Sequence, residues 1–233
     1  MRYLLIIILL FNYSCSNNKK VKKPNIIYIL ADDLGYGDLS VYNQNSKIST
    51  PNINSIGNQG MIFSDMHSTS SVCTPTRYSI LTGEYAWRTK LKEGVLWSYG
   101  EPLIPENKKT VGSMLKKFGY TTSVIGKWHL DGTGKPQWEP ERKFGFADNR
   151  YMYNRGHWKK MEDTSEGPIV AATNENGTPN YDLDGADETT FTTDFLTDKT
   201  IAYIEENKEH PFSMYLSYPD PHGPDKVRPP YDV

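Results

Sequence analysis

At 233 residues the chain is long enough to bury one sizeable core. Its 26 basic and 28 acidic residues nearly balance, which argues against nucleic acid as the main partner. Tyrosine is abundant at 16 residues, and 15 prolines with 18 glycines imply long ordered loops between the regular elements.

The N-terminus reads as an export signal. Arg2 supplies a minimal positive region, and Leu4 to Phe11 is an apolar run too short to span a bilayer. Asn12-Tyr13-Ser14-Cys15 then resembles a bacterial lipoprotein site, with Cys15 as the lipidated first residue of the mature chain. Asn12 stands where an apolar residue is usual, and a plain cleaved signal with a nearby Cys is the alternative. Residues 1–15 are thus a lipoprotein-type signal peptide, and the protein is expected to be periplasmic or anchored to the outer membrane. Residues 16–23 are polar and carry Lys19, Lys20, Lys22 and Lys23. They read as a tether, or else as a basic membrane-contact patch. The folded domain is expected over residues 24–233.

Within that domain Asn25 to Ala31 is a nearly continuous apolar run, the pattern of a buried parallel strand, and it stops at Asp32-Asp33. Thr50-Pro51 opens a helix that ends near Gly60. Met61-Ile62-Phe63 reads as a second strand. It leads to Cys73, with Pro75 in the first turn of a helix and Gly83 at its end. Thr110 caps a helix over Val111 to Phe118, closed by Gly119, and Tyr120 to Ile125 is a third strand running into Gly126-Lys127-Trp128-His129. From Leu130 to about Thr190 no clean period appears, so this stretch is a functional loop or an elaboration. A helix follows from about Thr193 to Asn207, then a fourth strand, Phe212 to Ser217, and the turn Tyr218 to Pro224. Strands alternating with helices give an α/β fold with a mostly parallel sheet. In such sheets ligands bind beyond the carboxyl ends of the strands. Asp32-Asp33, Lys127 with His129, and His222 each fall just after a predicted strand, so three polar clusters converge on one sheet edge.

Each cluster suggests chemistry of its own. Cys73 at a helix start lies beside free N–H groups and a positive dipole end, with the permanent cation of Arg77 one turn further on. If Cys15 carries lipid, Cys73 is an unpaired thiol in an oxidising compartment. The adjacent carboxylates of Asp32 and Asp33 repel unless a cation lies between them, which suits a hard metal; such a pair taken alone is more often a turn or a helix cap. Lys127 and His129, two apart in an extended segment, share a face and can bind an anion and move a proton. His222 is held in a stiff loop between Pro221 and Pro224. His67, His157 and His210 are read as incidental.

Together these segments resemble the sulfatase family. Ser71 to Gly83 is similar to the signature in which the Cys of Cys-x-Pro-x-Arg is oxidised to formylglycine. Asp32-Asp33-Leu34-Gly35-Tyr36-Gly37-Asp38 resembles the first metal-binding segment, with Asp38 read as a turn residue. Gly119 to His129 resembles the second signature, and Pro221-His222-Gly223-Pro224 the segment carrying a further catalytic His. The resemblance implies an alkaline-phosphatase-like fold and a sulfuric ester hydrolase, arylsulfatase-like, that requires a formylglycine-generating or sulfatase-maturing enzyme. Hydrated formylglycine at position 73 would attack sulfur. Asp32, Asp33 and residue 73 would bind Ca²⁺, or less favourably Mg²⁺. Arg77 and Lys127 would stabilise the growing charge, His222 would protonate the leaving alcohol, and His129 would deprotonate the second hydroxyl to expel sulfate. The family's downstream Asp-Asn metal segment, second catalytic Lys and smaller C-terminal domain find no match within residues 1–233, so the catalytic domain is expected to be incomplete, with little activity alone. A phosphate or phosphonate ester hydrolase of the same superfamily and a non-catalytic truncated lipoprotein are the alternatives. Trp138, Arg142, Lys143, Arg150, Arg155, Trp158 and Lys159 in the irregular stretch suit a sulfated sugar, or equally a solvated loop.

Overall fold

The computed structural model describes residues 22–96, 101–130, 144–154, 157–164, 167–170 and 190–223. The signal peptide with Cys15, the tether before Lys22, and Trp138, Arg142, Lys143, Arg155 and Pro224 lie outside the described residues. For Trp158 and Lys159 only the backbone is described.

A six-stranded sheet forms the centre, in the order β1-β6-β2-β3-β4-β5. The strands are β1 (Ile26–Asp32), β2 (Thr121–Lys127), β3 (Tyr151–Asn154), β4 (His157–Thr164), β5 (Gly167–Val170) and β6 (Phe212–Pro221). β1, β6, β2 and β3 run parallel, and β4 and β5 return antiparallel. Among the described residues four α-helices accompany them: α1 (Pro51–Gln59), α2 (Cys73–Thr82), α3 (Val111–Lys117) and α4 (Thr192–Asn207).

The two faces of the central strands have separate cores, because successive side chains alternate. On one face Val124 of β2 and Tyr215 of β6 pack with Tyr78 and Leu81 of α2 and with Trp128, Phe144, Phe146 and Met152. On the other, Ile125 and the β6 residues Phe212, Met214 and Leu216 pack against Phe195, Leu196 and Tyr203 of α4. Thr110 caps α3 by accepting from the Ser113 N–H at 3.1 Å, and the Ser113 hydroxyl in turn accepts from the Thr110 N–H. Gly83 ends α2 in the left-handed region, with φ 70°. At the amino end of the sheet Lys23, read as the last tether residue, donates to the Phe118 carbonyl and lies over the Tyr120 ring.

Three expectations are corrected. β1 is parallel, as its apolar run predicts, but it is not buried. It is an edge strand among the described residues, and Ile26, Ile27, Tyr28 and Ile29 are 36–55 % exposed. Met61-Ile62-Phe63 is not a strand: among the described residues no backbone pairs with it, and its side chains are exposed. The stretch after Leu130 is not wholly irregular, since β3, β4 and β5 lie within it. β4 mixes charged and apolar residues without clean alternation, so pairing with its neighbours rather than a sequence period sets its register.

Candidate active site

The carboxyl ends of β1, β6 and β2 and the start of α2 meet at one place, and Arg77 is the residue that joins them. It is fully buried. Its Nη1 donates to the Lys127 carbonyl at 2.8 Å and to the Ser217 hydroxyl, and its Nη2 lies 3.2 Å from Asp32 Oδ1. One guanidinium thereby ties three strands to α2. Its planar, permanently charged fork suits that task better than a lysine would. The geometry depends on Gly126, whose φ is 100° and where a Cβ would overlap the Ser217 carbonyl.

Asp32 is the counter-charge. Its side chain is 5 % exposed, and Oδ2 forms an ion pair with Lys127 Nζ. Burial by itself would raise its carboxyl, but the charge of Arg77 and the hydrogen bond and charge of Lys127 outweigh it. They hold Asp32 below the usual carboxylate range. The buried set of two cations and one anion carries a net positive charge, which favours an anion at its open side.

Cys73 is the first residue of α2, preceded by Val72 in an extended conformation with no side-chain cap. Its Sγ is 3.1 Å from His129 Nδ1. His129 Nε2 is 2.9 Å from the Leu96 carbonyl, an acceptor only, so Nε2 carries the hydrogen and the neutral ring presents Nδ1 as an acceptor to the Cys73 thiol. Burial is the largest influence on His129, and with the charges of Lys127 and Arg77 it lowers the imidazole below its ordinary value. Thr74 holds this arrangement together: its hydroxyl donates to the His129 carbonyl at 3.1 Å and accepts from the Leu96 N–H at 3.2 Å.

Lys127 and His129 do not share one extended face as their spacing suggests. His129 has φ 55°, which breaks the alternation and sends the two side chains to different partners, Lys127 to Asp32 and His129 to Cys73. Asp33, with φ 67°, turns its carboxylate outward, 56 % exposed. His222 Nε2 lies 3.9 Å from it, and His222 Nδ1 donates to the Gly223 carbonyl at 2.6 Å. Asp38 serves as a turn residue, its carboxylate accepting from the Gly35 N–H at 2.7 Å. Arg150 is drawn away from this edge, bonded to Asp148 and Glu206.

A hard cation finds two adjacent carboxylates here but no cage. Among the described residues no group of three or more His, Cys, Asp or Glu side chains is placed to hold a metal. Both Asp32 oxygens are engaged by Arg77 and Lys127, and only Asp33 presents a largely open carboxylate. The donors are of the right kind and too few. Sequence reasoning missed Ser217, Thr74 and Leu96. A hydroxyl residue at the end of the predicted strand, Phe212 to Ser217, was the one signal for Ser217. Leu96 acts through its backbone and left none.

Comparison with known proteins identifies the family. The family model for sulfatases matches residues 24–233. The chain belongs to the sulfatase family. It is 31 % identical to an N-acetylgalactosamine-6-O-sulfatase of Bacteroides thetaiotaomicron, over 89 % of this chain and 50 % of that protein. It is 41 % identical to arylsulfatase H of Canis lupus familiaris, over 46 % of this chain and 20 % of that protein. A solved structure from the metabolism of multiple glycosaminoglycans by Bacteroides thetaiotaomicron superposes with a TM-score of 0.71 at 29 % identity, covering 87 % of this chain and 52 % of the other. The fold is the alkaline-phosphatase-like α/β fold of these sulfatases, a mostly parallel sheet flanked by helices. The sulfatase-family chain spans about half the length of the curated protein and of the structure that match it over most of its own length.

Proposed function

We propose that this chain carries the nucleophile side of a sulfuric ester hydrolase acting on sulfated glycans, with Cys73 converted to formylglycine by a formylglycine-generating or sulfatase-maturing enzyme. The observation that carries the proposal is the 3.1 Å approach of Cys73 Sγ to His129 Nδ1 at the α2 N-terminus, beside the buried Arg77–Asp32–Lys127 set. Sulfated sugars are favoured as substrates by the N-acetylgalactosamine-6-O-sulfatase relative and the glycosaminoglycan-related structure.

The aldehyde supplies a hydrated carbon with two hydroxyls, a nucleophile with a built-in exit that serine or cysteine lacks. The chain's own residues do the rest. The α2 N-terminus offers N–H groups and a positive dipole end to the sulfuryl oxygens. His129, neutral and with Nε2 held by Leu96, keeps Nδ1 ready to take a proton from a hydroxyl at residue 73. Lys127 and Arg77 provide fixed positive charge behind the nucleophile. His222, on the exposed side near Asp33, is the donor to the leaving alcohol. Asp33 and residue 73, with Asp32 once it gives up a contact to Arg77 or Lys127, would hold a divalent cation, Ca²⁺ ahead of Mg²⁺, which would supply positive charge for the sulfuryl group. Residues 1–15 are proposed to export the protein and to anchor it in the membrane through lipid on Cys15.

The test is to co-express the chain with a sulfatase-maturing enzyme and map the peptide containing residue 73 after treatment with an aminooxy reagent. An adduct at position 73, absent in Cys73→Ala, is expected; a fully retained free thiol would overturn the proposal. On aryl sulfate with Ca²⁺ the matured chain alone should show little turnover. Losing a single preorganised charge donor costs about 10²- to 10³-fold, and here a second Lys and part of the cation's ligand set are unmatched. Turnover clearly above that of Cys73→Ala would show that residues 1–233 complete the site.

A further inference from the structure

The segment that follows α2 presents one kind of surface. From Tyr85 to Lys92 the exposed residues are Tyr85, Trp87, Arg88, Lys90 and Lys92, and every one is aromatic or cationic. The apolar residues between them face the other way: Ala86 is buried in the core beside α2, and Leu91 packs against the same core. A short 3₁₀ turn, Ala86–Arg88, sets this division. The Arg88 N–H donates to the Tyr85 carbonyl at 3.1 Å. The Thr89 hydroxyl donates to the Ala86 carbonyl at 2.6 Å and accepts from the Leu91 N–H at 3.1 Å. With the backbone anchored at Ala86 and Leu91, the outward side chains are placed before any ligand arrives.

Tyr85 and Trp87 stack on each other, with ring centroids 3.9 Å apart and planes inclined by 16°. Stacking covers one face of each ring, yet the two residues remain 43 % and 51 % exposed, so the outer surface of the pair is open. Lys92 Nζ donates to the Trp87 carbonyl at 2.9 Å, which keeps that ammonium beside the indole with two further N–H donors. Two acids flank the segment, Glu84, which is paired with Lys108, and Glu93. Among the described residues Arg88 and Lys90 form no ion pair. The surface therefore combines open ring area with positive charge that local acids do not cancel. α2 is 10 residues long, about 15 Å, and Cys73 stands at its other end, so this surface lies apart from the catalytic edge.

We propose that Tyr85, Trp87, Arg88, Lys90 and Lys92 form a second, non-catalytic binding site for a sulfated glycan. A pyranose ring lays a C–H face on the open aromatic surface, and both shed water. The sulfate groups of the glycan take charge-assisted hydrogen bonds from the guanidinium and ammonium groups around the rings. An anionic membrane would also meet rings and cations. It is disfavoured because the aliphatic side chains of the segment, Ala86 and Leu91, face the core and leave none to enter hydrocarbon. A site of this kind, apart from residue 73, keeps a polymeric substrate on the chain between encounters with the catalytic edge. That role rests on the sulfated-glycan reading given above; the binding does not.

The test uses the full chain with its Cys73 thiol, so the result does not depend on formation of the aldehyde. Calorimetry follows binding of an oligosaccharide built on N-acetylgalactosamine 6-sulfate, beside its desulfated counterpart and vesicles of phosphatidylglycerol. Trp87→Ala should weaken binding at least about ten-fold, and Trp87→Phe, which keeps a ring to stack, should retain most of it. Arg88→Gln combined with Lys90→Gln and Lys92→Gln should abolish the preference for the sulfated over the desulfated sugar. Lys116→Gln with Lys117→Gln, two exposed cations on α3, should change binding by less than about two-fold and controls for net charge. Every substituted side chain is exposed, so melting midpoints should match the parent's. No binding by the parent, unchanged binding in Trp87→Ala, or equal losses in the two charge variants would overturn the proposal. So would Trp87-dependent binding to the vesicles without binding to the oligosaccharide, since a membrane would then be the occupant. Trp87-dependent glycan binding by a chain that never acquires the aldehyde would uphold this site while removing the catalytic reading.

Discussion

Asp32→Asn exchanges one carboxylate oxygen for an amide nitrogen, keeps the side-chain shape, and leaves the Arg77 and Lys127 cations facing each other. The three side chains are 5 %, 0 % and 11 % exposed, so water does little to screen the loss. Breaking a buried ion pair by removing one partner costs about 3–5 kcal/mol. The Lys127 side chain, 11 % exposed, keeps some contact with water, which places the expectation at the lower end, about 3 kcal/mol. At 2–4 °C per kcal/mol for a chain of this size, the midpoint should fall by about 6–12 °C. The assay is thermal and urea unfolding followed by fluorescence, in which the buried Trp128 contributes, in chelator at pH 7 so that no cation contributes. The pH dependence follows from the sign of the shift. The Asp32 carboxyl is lowered in the fold, so its stabilisation is present above the unfolded value of 3.8 and is lost as pH falls through the lower folded value. The difference between parent and variant should therefore shrink below pH 3.8. A loss under about 1 kcal/mol at pH 7, or a difference that does not shrink in acid, would refute the reading of Asp32 as the counter-charge of a buried set.

Other outcomes follow from the same geometry. His129 is lowered from 6.5 by burial, so the fold prefers it neutral and stability should fall as pH drops below 6.5; His129→Gln should flatten that dependence in melting curves between pH 7.5 and 5.5. Gly126→Ala places a Cβ against the Ser217 carbonyl at φ 100°, and the expected cost of about 3 kcal/mol or more should appear as a large drop in midpoint or as insoluble protein. Cys15→Ala should move the protein from the membrane to the soluble fraction on cell fractionation; unchanged partitioning would leave residues 1–15 as a simple cleaved signal.

The parts of the fold legible in sequence are those set by local rules. Thr110 and the stop at Gly119 mark α3; Pro75 and Gly83 mark the ends of α2; apolar runs mark β1, β2 and β6. β3 to β5 were not legible, because β3 and β5 are only 4 residues each and β4 mixes charge without alternation, so all three owe their existence to neighbours. The residues of the candidate site were legible as types at strand ends, since a parallel sheet delivers every strand end to one edge. Their partners were not. That Lys127 answers Asp32 while His129 answers Cys73 depends on one positive φ, and that Arg77 binds Ser217 depends on two elements 140 residues apart.

By itself, then, the sequence determined the class of fold, because spacing, caps and apolar period act within a few residues, and its resemblance to sulfatase motifs pointed to the family. Only the tertiary structure decided which charge meets which, and that β1, written as an interior strand, stands at the edge of the sheet among the described residues. Burial and ion pairing are properties of distant segments brought together, and no local pattern carries them.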